Sequence, residues 1–194
     1  MRSPTAVTAA PAEQPGRQVL VWDIWVRLFH WGLVACVVAN FALLEEGEAP
    51  HRWVGYAATA LVLGRVAWGF VGSAHARFAS FFPTPSRLRE HLAELRSGRP
   101  SVHLGHNPLG AVMMLVLMAL VLALGVTGWM QGLDAFFGDE WLQALHEALA
   151  NGLVALAGLH ALAALVMGRL ERRNLVLAMV TGRKAVQPGS THGG

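Results

Sequence analysis

HEALANGLVALAGLH, residues 146–160, begins and ends with a histidine and is otherwise apolar or small except for one Glu and one Asn. A segment this apolar is typical of a membrane-spanning helix, where a histidine is costly and usually has a functional partner. Fourteen residues of helix rise about 21 Å and complete about four turns. His146 and His160 therefore lie on one face of one helix, at two different depths.

Three further apolar runs are long enough to cross a bilayer, which takes about 20 residues. The four predicted spans are 24–44, 52–72, 108–130 and 142–168. The chain is 54% hydrophobic and 14% charged, whereas a soluble domain averages about 25% charged residues. The sequence predicts an all-α, membrane-embedded four-helix bundle over residues 19–184, with a disordered tail at 1–18 and a flexible tail at 185–194. The first tail lacks the apolar core of a secretory signal, so the first span is expected to direct insertion.

Basic and acidic connectors alternate along the chain. Arginines occur in the tail before the first span, in the connector 73–107 and after the fourth span, whereas the other two connectors are mainly acidic. Because basic segments stay in the cytoplasm, both termini and the connector 73–107 are predicted to be cytoplasmic. The net charge of +3, carried mostly by arginines near apolar segments, favours contact with anionic membrane lipid and not with nucleic acid.

Within the connector 73–107, the pattern PSRLREHLAELRSG predicts a short amphipathic helix at about 85–97. Leu88, Leu92 and Leu95 fall on one face of it, with Arg and Glu around them. Such a helix suits the inner membrane surface. A solvated linker helix explains the pattern equally well.

Two other histidines lie at the depths of the first two. With the topology above, His30 in the first span is level with His160, and His51 at the outer start of the second span is level with His146. An iron held by two imidazoles needs their nitrogens about 4 Å apart, given metal–nitrogen bonds of roughly 2 Å. The crossed pairing would have to bridge about 20 Å and is excluded.

Haem fits these pairs better than a bare metal ion, because the porphyrin supplies four ligands whereas zinc needs three or four from the protein. Arginines near the pairs are candidates to neutralise the haem propionates; they are Arg27, Arg52 and Arg65. The remaining histidines are interpreted as ordinary connector or tail residues, with His106 as the one possible exception; they are His75, His91, His103, His106 and His192. Two haems are thus predicted, and the alternative is a haem-free scaffold or transporter.

The ordered series VWDIWVRLFHW, HRWVGY, GRVAWGFVG, LGHNPLG, LHEALAN and NLVLAMVTGRK resembles the prokaryotic cytochrome b561 family over residues 20–184. That family includes the b-type subunits of membrane hydrogenases and formate dehydrogenases. The resemblance implies a respiratory protein of the bacterial inner membrane, with two b haems and quinone-linked electron transfer. Its four ligands fall on His30, His51, His146 and His160, the residues that depth had already paired.

The resemblance also implies a quinone pocket near the cytoplasmic haem. The candidate contacts are His106, Asn107 and Gly110 in LGHNPLG, where His106 could shuttle a proton. An Asn-Pro pair that merely caps and starts a helix is a good alternative.

The expected partner is a c-type cytochrome or a dehydrogenase or hydrogenase subunit. The outer connectors are acidic, which suits a basic donor, although charge asymmetry across the membrane explains the same pattern. A stand-alone superoxide:quinone oxidoreductase, also known in this family, is the alternative function.

Overall fold

The computed structural model of the chain describes residues 17–74, 76–97, 108–170 and 174–186. Its helices are α1 (Ile24–Ala42), α2 (Ala49–Val71), α3 (Phe78–Phe81), α4 (Pro85–Arg96), α5 (Pro108–Met130), α6 (Glu140–Leu170) and α7 (Leu175–Thr181), with a 3₁₀ turn at Asp134–Phe136. Two short strands, β1 (Arg17–Leu20) and β2 (Arg183–Val186), pair antiparallel.

Four of these helices, α1, α2, α5 and α6, are long and apolar enough to cross a membrane. They confirm the predicted all-α membrane bundle and lie within three residues of the predicted spans. The helix α2 begins early, at Ala49, because Pro50 occupies its first turn, where a missing N–H costs nothing. The helix α6 is the longest, with 31 residues.

The bundle is built from successive neighbours, since α1 packs on α2, α2 on α5 and α5 on α6. Its core includes Val62 of α2, Met118 and Val121 of α5, and Leu153 of α6. The rest of each span carries large exposed apolar side chains, as expected for helices that face lipid.

A close crossing of α2 and α5 occurs at Gly125. A Cβ atom at this position would lie 3.0 Å from Cγ2 and 3.2 Å from Cβ of Thr59, and nearer still to its hydroxyl oxygen. Small residues at helix crossings let membrane helices approach closely. Gly125 therefore sets the distance between the two helices that build most of the core.

Segments from the two ends of the described chain meet in a unit that we call the terminal clasp, made of β1, β2 and Gly182. Beyond the ladder, the amides of Val21 and Trp22 donate to the carbonyl of Gly182 at 2.8 and 3.1 Å. The clasp lies beside a small core that buries Val21, Trp22, Val26 and Ala76.

The clasp corrects the inner edges of the two predicted tails. Residues 17–18 and 185–186, assigned to the tails 1–18 and 185–194, lie in its strands. The remainder of both tails lies outside the described residues. Neither strand shows a local strand pattern, because each is stabilised by a partner at the other end of the chain.

Asp23 ties the start of α1 to the end of α2. Its carboxylate accepts hydrogen bonds from the Val26 amide at 2.9 Å, from Nε1 of Trp68 at 3.1 Å and from Oγ of Ser73 at 2.5 Å. Burial of the carboxyl opposes ionisation, but these hydrogen bonds outweigh it and lower the pKa of Asp23 below its ordinary value. A fixed negative charge therefore stands at this end of the bundle.

The helix α4 occupies the position predicted for the amphipathic helix. It packs on α5, and the side chain that it buries most fully is His91, which is 3% exposed. Leu92 is 38% exposed and is available to an apolar environment. The placement of α4 on the membrane surface stays a prediction.

Gly182→Ala is expected to lower the free energy of unfolding by about 2 kcal/mol, combining left-handed backbone cost with overpacking. Gly182 has a φ of +79°, and a Cβ atom there would lie 2.5 Å from the carbonyl oxygen of Trp22. The measurement is thermal unfolding of the purified protein in detergent.

Gly47 provides a matched control, because its φ is +78° but nothing lies within 4 Å of the added Cβ. Gly47→Ala should lower the free energy of unfolding only by the cost of the left-handed backbone, about 1 kcal/mol. Equal losses at the two positions would show that the contact with Trp22 contributes nothing.

Candidate functional site

The helix α6 carries two of the predicted histidines, and the first of them meets a histidine of α2. The rings of His51 and His146 have centroids 6.5 Å apart and planes at 63°. An iron between two imidazoles places the centroids about 6 Å apart, from two bonds of roughly 2 Å and about 1 Å from each nitrogen to its ring centre. The spacing of this pair suits a shared iron.

The second pair joins His30 of α1 to His160 of α6. Their imidazoles lie within electrostatic range of each other, and both side chains are half-buried. The indole of Trp31 meets the His30 ring edge-on, with centroids 5.1 Å apart. The structure thus places the rings of His51 and His146 side by side, and it places His30 and His160 near enough for their charges to interact.

One histidine of each pair lacks a hydrogen bond at its Nδ1 atom among the residues that the structure describes. In the described part of the chain, Nδ1 of His30 and Nδ1 of His51 are buried without a hydrogen-bond partner. A buried imidazole that only packs in a core normally has such a partner. The structure therefore does not explain these two rings as hydrogen-bonded core histidines.

The donor set also fits haem. Among the described residues, no three His, Cys, Asp or Glu side chains converge as a metal site would require. A pair of imidazoles is too few for a structural zinc ion but is the complete protein contribution to a bis-histidine haem. In addition, α6 packs closely on α5 and α7 but makes at most sparse contact with α1 and α2, the helices that carry the partner histidines.

Arg65 is the most deeply buried of the three predicted propionate partners, with 3% of its surface exposed. One terminal nitrogen donates to the carbonyl of Ala76 at 3.0 Å, and the guanidinium lies 5.4 Å from the centre of the Phe78 ring. The other terminal nitrogen, Nη1, is buried without a hydrogen-bond partner among the described residues. Arg65 thus retains a donor for an anionic group.

Arg27 and Arg52 differ from Arg65 and from each other. Arg27 donates from Nη2 to the carbonyl of Val180, and its Nε is buried without a partner in the described part of the chain. Arg52, next to His51, is exposed. Arg27 is therefore partly engaged with α7, whereas Arg52 has an exposed side chain.

The predicted quinone contacts are only partly described. His106 and Asn107 lie outside the described residues, whereas Gly110 lies in the first turn of α5 and is half-buried. A pocket of about 190 Å³ opens beside this turn, lined among others by Arg87, His91 and Pro108. Sequence reasoning treated His91 as an ordinary residue and missed its place in this pocket.

A residue that sequence reasoning also missed contacts a predicted ligand directly. Oγ1 of Thr127, on α5, lies 2.8 Å from Nδ1 of His146. The one sequence signal for this residue is a hydroxyl near the end of an otherwise apolar span. The contact depends on which faces of α5 and α6 pack together, and no local pattern reveals that.

Comparison with known proteins identifies the family of the chain. Residues 21–182 match the family described as prokaryotic cytochrome b561. A protein of Rhodobacter capsulatus described as a probable Ni/Fe-hydrogenase B-type cytochrome subunit is 26% identical, over 86% of this chain and 81% of that protein. Proteins with the same description are 25% identical in Bradyrhizobium diazoefficiens, over 86% of this chain and 85% of that protein, and 28% identical in Azotobacter vinelandii, over 66% and 65%. No solved structure matches the chain.

The family match covers all four apolar helices and all four paired histidines. Membership implies haem b binding and a role in electron transport, which the paired imidazoles in a membrane bundle fit. The chain belongs to the prokaryotic cytochrome b561 family, and it is a b-type cytochrome of a bacterial membrane that functions in electron transfer.

Proposed function

We propose that this chain carries electrons across the bacterial inner membrane through two b haems and exchanges them with quinone. The observation that supports this most strongly is that α6 contributes one histidine to each pair. The helical rise between His146 and His160 separates the pairs by about 21 Å, most of the hydrocarbon thickness of about 30 Å. Two sites at these depths would form a path through the membrane.

In this proposal His51 and His146 hold one iron, and His30 and His160 hold the other. When bound, haem b supplies an iron that takes up and releases one electron. The chain contributes the axial nitrogens, the apolar surroundings and the arginines, which together set the potential of each site. Arg65 would receive a propionate at its unpartnered Nη1, with Arg27 and Arg52 as further partners.

The charge pattern orients the protein in the membrane. The connector that contains α4 is rich in arginine, whereas the loops from α1 to α2 and from α5 to α6 carry exposed acidic residues. Basic segments stay in the cytoplasm, so we place both termini and the His30–His160 pair on the cytoplasmic side. The His51–His146 pair then faces the periplasm, beneath an acidic rim.

Quinone exchange is proposed at the cytoplasmic start of α5. His106, Asn107 and Gly110 are the candidate contacts, and the pocket beside the first turn of α5 adds Arg87 and His91. Arginine and amide donors suit a quinone carbonyl, and a histidine can transfer the proton that accompanies reduction.

The proposed partner is a hydrogenase or a similar dehydrogenase, because the similar proteins are described as Ni/Fe-hydrogenase B-type cytochrome subunits. The exposed acidic residues of the outer loops, including Glu45, Glu46 and Glu48, favour a partner with a basic docking face. A c-type cytochrome has the same electrostatic fit and is the second candidate.

The test begins with the protein purified in detergent and a pyridine-haemochrome assay. Two b haems per chain, low-spin in both oxidation states, are expected. Duroquinol added to the oxidised protein should then reduce the haems. One haem per chain would contradict the two-site proposal, and full haem content without reduction by the quinol would contradict the quinone link alone.

A further inference from the structure

We infer that Thr127 and Gly128, adjacent residues near the end of α5, are positioning residues that fix the ring of His146 for iron binding. The inference rests on the proposed function, since it concerns the pair formed by His51 and His146. It assigns a role to two residues that do not themselves touch the iron.

The hydroxyl of Thr127 has two carbonyl oxygens and one imidazole nitrogen within hydrogen-bonding distance. Oγ1 lies 2.9 Å from the carbonyl oxygen of Ala123, 3.3 Å from that of Leu124 and 2.8 Å from Nδ1 of His146. The two carbonyls can only accept, whereas Nδ1 of His146 donates or accepts according to its tautomer. In this inference the hydroxyl donates to its own helix and accepts from His146.

The tautomer of His146 follows from this arrangement. With Thr127 as the acceptor, Nδ1 carries the proton of this hydrogen bond, which leaves the lone pair on Nε2 for a metal. Thr127 is only 7% exposed, so water does not compete for this hydrogen bond. Hydrogen bonding of the far nitrogen of a ligand histidine typically fixes the ring and makes it a stronger donor.

Gly128 supplies the space that this orientation needs. A Cβ atom at position 128 would lie 3.3 Å from Cε1 of His146 and 3.9 Å from Nδ1. Cε1 is the ring carbon between the two nitrogens, so a side chain at 128 would press the ring next to its coordinating atom. One residue of α5 thus aims the imidazole, and the next leaves room for it.

The same support is not given to the other histidines for which the contacts are described. Nδ1 of His30 and Nδ1 of His51 have no hydrogen-bond partner among the described residues. The effect of Thr127 should therefore be confined to one haem, which provides an internal control in every measurement.

The test compares Thr127→Val, which keeps the shape but lacks the hydroxyl, with Thr127→Ser, which keeps the hydroxyl. In a redox titration of the holoprotein, Thr127→Val should move the midpoint of one haem to a more positive potential and leave the other unchanged. Without the hydrogen-bond acceptor, the imidazole donates less electron density and stabilises ferric iron less. The dissociation constant of that haem should also rise about tenfold. Thr127→Ser should restore the wild-type values, and Gly128→Ala should alter the low-spin EPR signal of the same haem.

Nitrogen-15 NMR of the reduced, histidine-labelled wild type provides a measurement that needs no variant. It should find Nδ1 of His146 protonated, whereas an unprotonated Nδ1 would overturn the inference even if Thr127→Val failed to fold. Unchanged potentials and EPR in a folded Thr127→Val protein would also overturn it, as would equal shifts of both haems. Fewer than two haems in the wild type would instead count against the proposed function.

Discussion

His160→Ala is expected to remove one haem from the chain and leave the other, and His146→Ala is expected to remove the other one. Each site would lose half of its axial ligation, which is the main protein contribution to holding the iron. Because the two histidines lie on the same helix, 14 residues apart, the variants perturb the same element at two depths. The readout is haem per chain with the potential of the haem that remains.

Comparing the two variants of one pair tests the pairing more strictly than the loss of a haem in a single variant does. His30→Ala should leave the same haem, with the same spectrum, as His160→Ala, and His51→Ala should match His146→Ala. A double variant within a pair should be no worse than either single variant, whereas one substitution from each pair should remove both haems. His91→Ala, which changes a buried histidine outside the pairs, is the control and should keep both. The same residual haem in His146→Ala and His160→Ala would contradict the assignment.

Gly125→Ala is expected to lower the free energy of unfolding by about 3 kcal/mol, the upper part of the range for an overpacked core. Thr59 cannot simply rotate away, because its hydroxyl donates to the carbonyl of Gly55 at 3.0 Å and its Cβ would itself be crowded. The added methyl group must therefore push α2 and α5 apart. Thermal unfolding in detergent measures the loss.

Gly64→Ala is the matched control, because nothing lies within 4 Å of a Cβ at that position of α2. Alanine there should leave stability unchanged or raise it slightly, as its helix propensity is higher. Combining Gly125→Ala with Thr59→Ala should recover part of the loss through relief of the same contact. Equal effects at positions 64 and 125 would show that the crossing tolerates a side chain.

The spans and the common face of His146 and His160 could be predicted because each depends on a local repeat. Hydropathy over about 20 residues identifies a span, and the helical period places residues 14 apart on one side. The pairing needed only chain direction and depth. Chain direction and depth do not change when one helix rotates against another within the bundle.

Other parts of the site depend on those rotations and could not be predicted. The contact between Thr127 and His146 exists only because the matching faces of α5 and α6 meet. Arg65 was expected to serve a propionate, and its contacts with Ala76 and Phe78 arise from a turn whose path the composition does not encode. The burial of His91 likewise follows from how α4 packs on α5. The sequence could not predict this burial, because the neighbours of His91 in the sequence are mostly charged.

The terminal clasp also has a consequence for how the chain is assembled. Its strands pair residues from opposite ends of the described chain, and hydrogen-bonded strands must lie on the same side of the bilayer. An even number of crossings between β1 and β2 is therefore required, and the four apolar helices satisfy it. A chain that fails to insert one helix would leave the two strands on opposite sides, with their backbone groups unpaired. The β2 strand is also synthesised after every span. The clasp can thus form only after β2 has been synthesised and an even number of spans has been inserted, so its closure would discriminate the four-span topology from forms that lack one or three spans.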